Sequence, residues 1–153
     1  MGGRRLIAKK ATPAAIAVLR QATALRPKRK KASDGLLPSA AHLTQSPNSD
    51  HNTGYAVDIT HDPIDGIDGQ EVFTHLQSDK RVKYLIFKGK IWTADKGVHK
   101  YTGSNQHNKH CHISIKDGCG DDTSPWFTWM GAPTTLNKVK ASLPKPLPKK
   151  KVG

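Results

Sequence analysis

The sequence predicts a small single domain of the α+β class, and three observations carry that prediction. A chain of 153 residues is long enough to enclose one real core and too short for two. Two stretches, residues 14–25 and 70–77, place apolar side chains at helical spacing. Four others, at residues 55–59, 81–87, 91–92 and 110–115, read as strands, and the first and last of them alternate in the two-residue period of a half-buried strand.

Taken in order, residues 1–11 form a basic arm. Thr12-Pro13 starts a helix, with Thr12 as cap and Pro13 at the first helical position, where its missing N–H costs nothing. Ala14 to Leu25 follow, with Ile16 and Leu19, joined by Val18 and Ala22, expected to face the body. Pro27 ends this helix. Lys28 to Ala32 make a basic connector, Ser33-Asp34-Gly35 a turn, and Ser39 to Leu43 a short helical turn. Pro47-Asn48-Ser49-Asp50 is turn chemistry leading into the strand Tyr55–Ile59. The loop from His61 to Gly69 is rich in acids and glycines without meeting the twelve-residue calcium-loop pattern. Gln70 to Gln77 suits a helix burying Val72, Phe73 and Leu76. Arg81 to Phe87 is a strand that Lys88-Gly89-Lys90 turns into Ile91-Trp92 as a hairpin. Trp126, Phe127, Trp129 and Met130 close the core or a groove. The domain is placed at residues 12–131, followed by a basic Pro/Lys-rich tail over 132–153 in which Pro144 to Pro148 is extended.

Chemistry concentrates in two segments. Ser49-Asp50-His51-Asn52-Thr53-Gly54-Tyr55-Ala56-Val57-Asp58 supplies an imidazole and a carboxylate seven residues apart. His107-Asn108-Lys109-His110-Cys111-His112 supplies more imidazoles. Strand alternation puts His110, His112 and Ser114 on one face and Cys111, Ile113 and Ile115 on the other. It likewise points Ala56 and Asp58 together, with Tyr55, Val57 and Ile59 opposite. Neutral imidazole and carboxylate are ligands of catalytic zinc, which takes three protein groups and keeps a fourth position open. The candidate ligands are therefore His51, Asp58 and one histidine of the second segment. His42, His75 and His99 read as ordinary surface or core histidines, and His61 as either a loop residue or a support of the site. Cys111 and Cys119 read as free thiols, Cys111 as a small core residue.

Charge is uneven. Residues 1–31 hold ten Lys/Arg and residues 132–153 six, with no acid in either, so the body between carries nine basic and all twelve acidic groups. Basic ends on a mildly acidic body suit attraction to a polyanion such as an anionic wall polymer or a membrane surface. No specific nucleic acid is expected, because the ends lack interleaved aromatics. No membrane span or secretory signal is read, which implies synthesis in the cytoplasm, and a monomer is expected.

Ser49 to Asp58 fits SxHxxGxAxD and His107 to His112 fits HxxHxH. Together they resemble the zinc peptidases of bacterial cell-wall metabolism, the group of D-Ala-D-Ala carboxypeptidases, lysostaphin-type enzymes, murein endopeptidases and the hedgehog signalling domain. The phrases Ser33-Asp34-Gly35, Asp58-Ile59-Thr60-His61-Asp62-Pro63 and Tyr101-Thr102-Gly103-Ser104-Asn105 look like peptidase domains of bacteriophage endolysins. The resemblance covers residues 12–116. It implies an antiparallel sheet flanked by helices, with a Zn2+ site on the sheet held by His51, Asp58 and His112. It further implies His110 as catalytic base, His107 as its support or an oxyanion contact, and bacterial peptidoglycan as substrate. Many relatives carry Glu or Asp three residues before the last ligand; Lys109 stands there. The implied activity is a bacteriolytic hydrolase that reaches the wall by holin-dependent release or as part of a virion. The alternative is a catalytically silent zinc-containing domain that binds wall or nucleic acid.

Overall fold

The computed structural model of the chain describes residues 10–38 and 49–130. The expected turn over Ser39–Leu43, His42, residues 1–9 of the basic arm and the Pro/Lys-rich tail lie outside the described residues. Five strands pair throughout antiparallel: β1 (Ala56–Thr60), β2 (Val82–Phe87), β3 (Lys90–Thr93), β4 (Gly97–Lys100) and β5 (His110–Ile115), in the order β1-β5-β2-β3-β4. The last strand among the described residues thus sits between the first two. Among the described residues there are two α-helices, α1 (Pro13–Leu25) and α2 (Gly69–His75), and no helix long and apolar enough to cross a membrane. This is the α+β architecture expected from the sequence.

Strand alternation divides the sheet into two faces. Val57 and Ile59 of β1, Leu85 and Phe87 of β2, and Cys111, Ile113 and Ile115 of β5 are buried in one core with Val18 and Ala22 of α1 and Val72 and Phe73 of α2. Each such aliphatic or aromatic side chain, fully withdrawn from water, stabilises the fold by about 1.5–3 kcal/mol. Both helices pack on this face, which leaves Asp58, Tyr84, His110, His112 and Ser114 on the other. Cys111 and Cys119 are both free thiols, and burial pushes the Cys111 thiol up.

The capping of α1 follows the sequence: the Thr12 hydroxyl accepts from the Ala15 amide at 3.3 Å. Its buried stripe differs from the expectation. Ala14, Val18 and Ala22, four residues apart, face the sheet with Ala15 and Ala17 beside them, while Ile16 and Leu19 only flank the core. Small side chains let the helix axis approach the sheet closely, so the larger residues are displaced to its edges. The chain entering α1 lies against Gly54, whose φ of 80° and whose approach to Lys10 and Ala11 exclude a side chain; a Cβ there would meet the Lys10 carbonyl oxygen at 2.7 Å.

The hairpin β2–β3 turns at Lys88 and Gly89, both with positive φ (46° and 78°), the backbone of a two-residue turn matched to strand twist. Strand β4, four residues long at the sheet edge, is an addition to the predicted elements. The C-terminal described segment is fastened by Arg81, 4% exposed, which donates to both carboxylate oxygens of Asp79 and to the carbonyls of Asp122, Ser124 and Pro125, with its guanidinium 3.5 Å over the Trp126 ring. Trp126 and Phe127 are buried in the core, as expected.

Candidate metal centre

Asp58 in the middle of β1 and His112 on β5 are direct cross-strand partners. Side chains of such a pair project together from one face, and His112 Nδ1 comes to 3.0 Å from Asp58 Oδ1. His51 arrives from a different direction, on a 3-10 turn over Asp50–Thr53. Ser49 caps this turn by accepting from the His51 amide at 3.2 Å, and Gly54 ends it. His51 Nε2 lies 3.2 Å from Asp58 Oδ2. One donor atom from each of His51, Asp58 and His112 falls within 4.8 Å of the others, so the group could hold a metal ion.

The hydrogen bonds around His51 decide which nitrogen faces the centre. Gly35 pairs with Asp58 as a one-residue extension of the sheet beyond β1, donating to the Asp58 carbonyl at 3.0 Å and accepting from its amide at 2.8 Å. This pairing delivers the next carbonyl, Leu36, to 2.7 Å from His51 Nδ1. A carbonyl only accepts, so Nδ1 carries the hydrogen, and in the neutral ring Nε2 aims a lone pair at the Asp58 carboxylate. A lone pair 3.2 Å from a carboxylate oxygen is repulsive unless positive charge lies between them. Either a second proton or a cation supplies it.

Protonation follows the same logic. Burial alone raises Asp58, but the hydrogen bonds and charges of His112 and His51 outweigh it and hold the carboxyl far below the usual carboxylate range. Burial lowers His51, and is outweighed by the hydrogen bond and charge of Asp58, the Leu36 carbonyl and the Asp50 charge, so His51 lies above its ordinary value. The donor set fits a divalent ion in kind: two imidazoles and an ionised carboxylate. The two imidazole–carboxylate separations, 3.2 Å to Asp58 Oδ2 and 3.0 Å to Asp58 Oδ1, lie near the about 3.3 Å between ligands on a tetrahedron with bonds of about 2.0–2.1 Å.

His110 and His107 are a second pair of imidazoles beside this group. His110 Nε2 is 3.6 Å from Asp58 Oδ2, and the rings of His107 and His110 meet edge to face with centroids 5.0 Å apart. His110 Nε2 and His107 Nδ1 are both buried with no hydrogen-bond partner. Burial, with the charge of His112 opposing that of Asp58, lowers His110; burial and the neighbouring His112 and His110 lower His107 to about 4. Both are thus neutral proton acceptors near pH 7. His107, held at a positive φ of 59°, lines a cleft of about 520 Å³ together with His51, Asp58, His112, Tyr84 and Tyr101, and His110 stands against the carboxylate of Asp58.

The other histidines serve elsewhere. His61 Nδ1 accepts from the Gly69 amide at 2.9 Å, at the start of α2, which makes it a loop residue outside the metal-binding group. His75 stacks on Trp129 with ring centroids 4.6 Å apart, and His99 Nδ1 bonds the Gly97 carbonyl. Asp62 in the acidic loop is taken up by the Lys30 and Asp65 amides.

The sequence reading missed the contribution of Leu36, a backbone carbonyl that no side-chain motif reports, and of Tyr84, whose ring stacks on His112 at 5.4 Å. Searches among curated proteins and solved structures found no match. The profile of one family, described as VldE, C-terminal domain, matches residues 8–112, a span that includes His51, Asp58, His107, His110 and His112. The chain belongs to the VldE C-terminal domain family.

Proposed function

We propose that the protein is a zinc-dependent peptidase that hydrolyses a peptide bond in the stem peptide or cross-link of bacterial peptidoglycan, in the manner of a bacteriophage endolysin. The observation that carries this reading is the pairing of two different groups on one sheet face. His51, Asp58 and His112 form a set fit for a cation, and His110 and His107, neutral and without hydrogen-bond partners at His110 Nε2 and His107 Nδ1, stand beside it. A silent metal domain has no use for two buried imidazole nitrogens without partners, each of which forgoes a hydrogen bond. The SxHxxGxAxD and HxxHxH phrases supply the substrate class through their resemblance to wall peptidases.

Zinc held by His51 Nε2, Asp58 and His112 Nδ1 would supply Lewis acidity to a carbonyl and bring the pKa of a water toward about 7. The chain's own residues do the rest. Asp58 stays ionised and fixes both ligand imidazoles. His110 Nε2, depressed enough to be unprotonated at neutral pH, takes a proton from water and returns it to the departing amine. His107, on the cleft wall, orients His110 and faces the polarised carbonyl oxygen. The cleft, lined by Leu37, Tyr84, Ile86 and Tyr101, excludes water from the flanks of an extended peptide. The basic ends hold the enzyme against anionic wall polymer or membrane surface.

Mass spectrometry of purified peptidoglycan incubated with the zinc-loaded chain tests this directly. A new amine-terminated fragment, absent after chelation, is expected, and its mass identifies the bond. An undigested wall with zinc bound would overturn the reading.

A further inference from the structure

The side of His112 away from Asp58 is occupied by a line of buried polar residues that ends in a charge. Strand β2 slips register against β5 between Val82, paired with Ile115, and Tyr84, paired with Ser114, so Lys83 is the extra residue of a bulge. Bulges re-aim side chains, and Lys83 Nζ lies 3.2 Å from both carboxylate oxygens of Asp50. Asp50 is 2% exposed and immediately precedes the ligand His51. Next along the line, the Tyr84 ring lies nearly parallel to His112, at an interplanar angle of 17°. Burial, opposed by a hydrogen bond with Ser114 and aided by the charge and hydrogen bond of Asp50, pushes the Tyr84 hydroxyl up to about 12. Ser114, fully buried, completes the line with its Oγ 2.8 Å from His112 Nε2.

With a cation on His112 Nδ1 the donors run in one order. A carboxylate only accepts, so the Tyr84 hydroxyl donates to Asp50. The phenolic oxygen then accepts from the Ser114 hydroxyl, and the Ser114 oxygen accepts from His112 Nε2–H. In the metal-free chain the Asp58 carboxylate, which only accepts, takes the Nδ1–H of His112 at 3.0 Å; a cation on Nδ1 displaces that hydrogen and leaves the ring its Nε2–H for Ser114. His51 reaches the complementary state, Nε2 inward, through the Leu36 carbonyl.

We propose that Asp50, Tyr84 and Ser114 are positioning residues of the metal centre, a relay that holds the orientation of His112 and accepts its Nε2–H when a cation occupies Nδ1, with Lys83 holding the buried carboxylate in place. The inference rests on the metal-binding part of the proposed function. It separates from the peptidase part because it concerns affinity and ligand geometry. Outer partners of metal-bound histidines are typically worth 10–100-fold in metal affinity. On the opposite face Cys111 and Ile113, the strand neighbours of His112, are buried in the hydrophobic core.

The test uses the full chain, stripped with a chelator, then titrated with zinc against a chromophoric competitor and separately with cobalt to read the ligand-field spectrum. Ser114→Ala and Asp50→Asn should each weaken zinc binding by about 10–100-fold and shift the cobalt bands. Tyr84→Phe, which keeps the ring stacked on His112, should weaken binding in the same direction with the metal-free melting temperature little changed. Ser114→Thr, which restores a hydroxyl, should recover affinity. If Asp50→Asn does not fold, Ser114→Ala and Tyr84→Phe decide the matter. Affinities within twofold of wild type and an unaltered cobalt spectrum would overturn the relay, as would a wild-type chain that binds neither metal. Zinc binding that responds to these substitutions without any cleavage of wall would overturn the peptidase reading alone.

Discussion

Replacing Arg81 by Ala should be among the most destabilising single changes in the described domain, while leaving metal binding intact. The guanidinium is 4% exposed, grips Asp79 at 2.7 and 3.0 Å, donates to three carbonyls between Asp122 and Pro125, and covers Trp126. Removing one partner of a buried ion pair costs about 3–5 kcal/mol. The carbonyls regain partners from water once the segment loosens, so no further increment is added for them. For a domain of this size that loss corresponds to about 10–20 °C in melting temperature. Arg81→Lys keeps the charge but cannot serve a carboxylate and three carbonyls from a single ammonium, and should cost about 1–3 kcal/mol. Urea and thermal unfolding of the metal-free chain read both values. A loss below about 1 kcal/mol for Arg81→Ala, or a lysine variant as stable as wild type, would show that the guanidinium network does not fasten the C-terminal segment.

Three further outcomes follow from the site and its turn. His110→Ala should retain zinc and lose about 10²–10⁴ in rate, whereas His112→Ala should lose the metal; metal analysis and peptide turnover that came out the other way round would reverse the roles. In the metal-free chain His107 stays neutral down to about pH 4. Its folded value lies below its unfolded one, so its contribution to stability is whole above about pH 6.5 and is lost as pH falls toward 4. A His107→Gln variant should therefore show about 2 kcal/mol less destabilisation between pH 7 and 5 than wild type, and an identical pH slope would refute the assignment. Lys88→Asn places a residue tolerant of positive φ at the first position of the β2–β3 turn and should stabilise by about 0.5–1 kcal/mol, whereas a melting temperature lowered by the change would show that Lys88 makes a contact worth more than the strain it carries.

The parts of the structure that were legible from the sequence were those encoded in short-range periodicity. Alternation along β1 and β5 placed Asp58 and His112 on one face, Val57 and Ile113 on the other, and the pairing of the strands did the rest. Thr12-Pro13 marked the start of α1 because capping is a local event. What escaped the reading depends on residues far apart in sequence. The Gly35 bridge to Asp58, which brings the Leu36 carbonyl to His51, spans more than twenty residues and uses only backbone atoms. The bulge at Lys83 is a register event between strands, with no signal in the strand's own pattern. Strand β4 is too short for alternation to register. Arg29 was counted among the basic residues of the N-terminal region, yet it is 5% exposed and paired with Asp34 at 2.8 Å; charge counts do not distinguish a solvated cation from one spent on internal structure.

The proposed chemistry needs one cation at one place. Crystals of the zinc-loaded chain, measured on either side of the zinc absorption edge, report that place directly. A single anomalous peak bonded to His51 Nε2, Asp58 and His112 Nδ1, with His110 alongside and not bound to it, is the predicted result; a peak held instead by His61 or Cys111, or no peak on the sheet face, would contradict it.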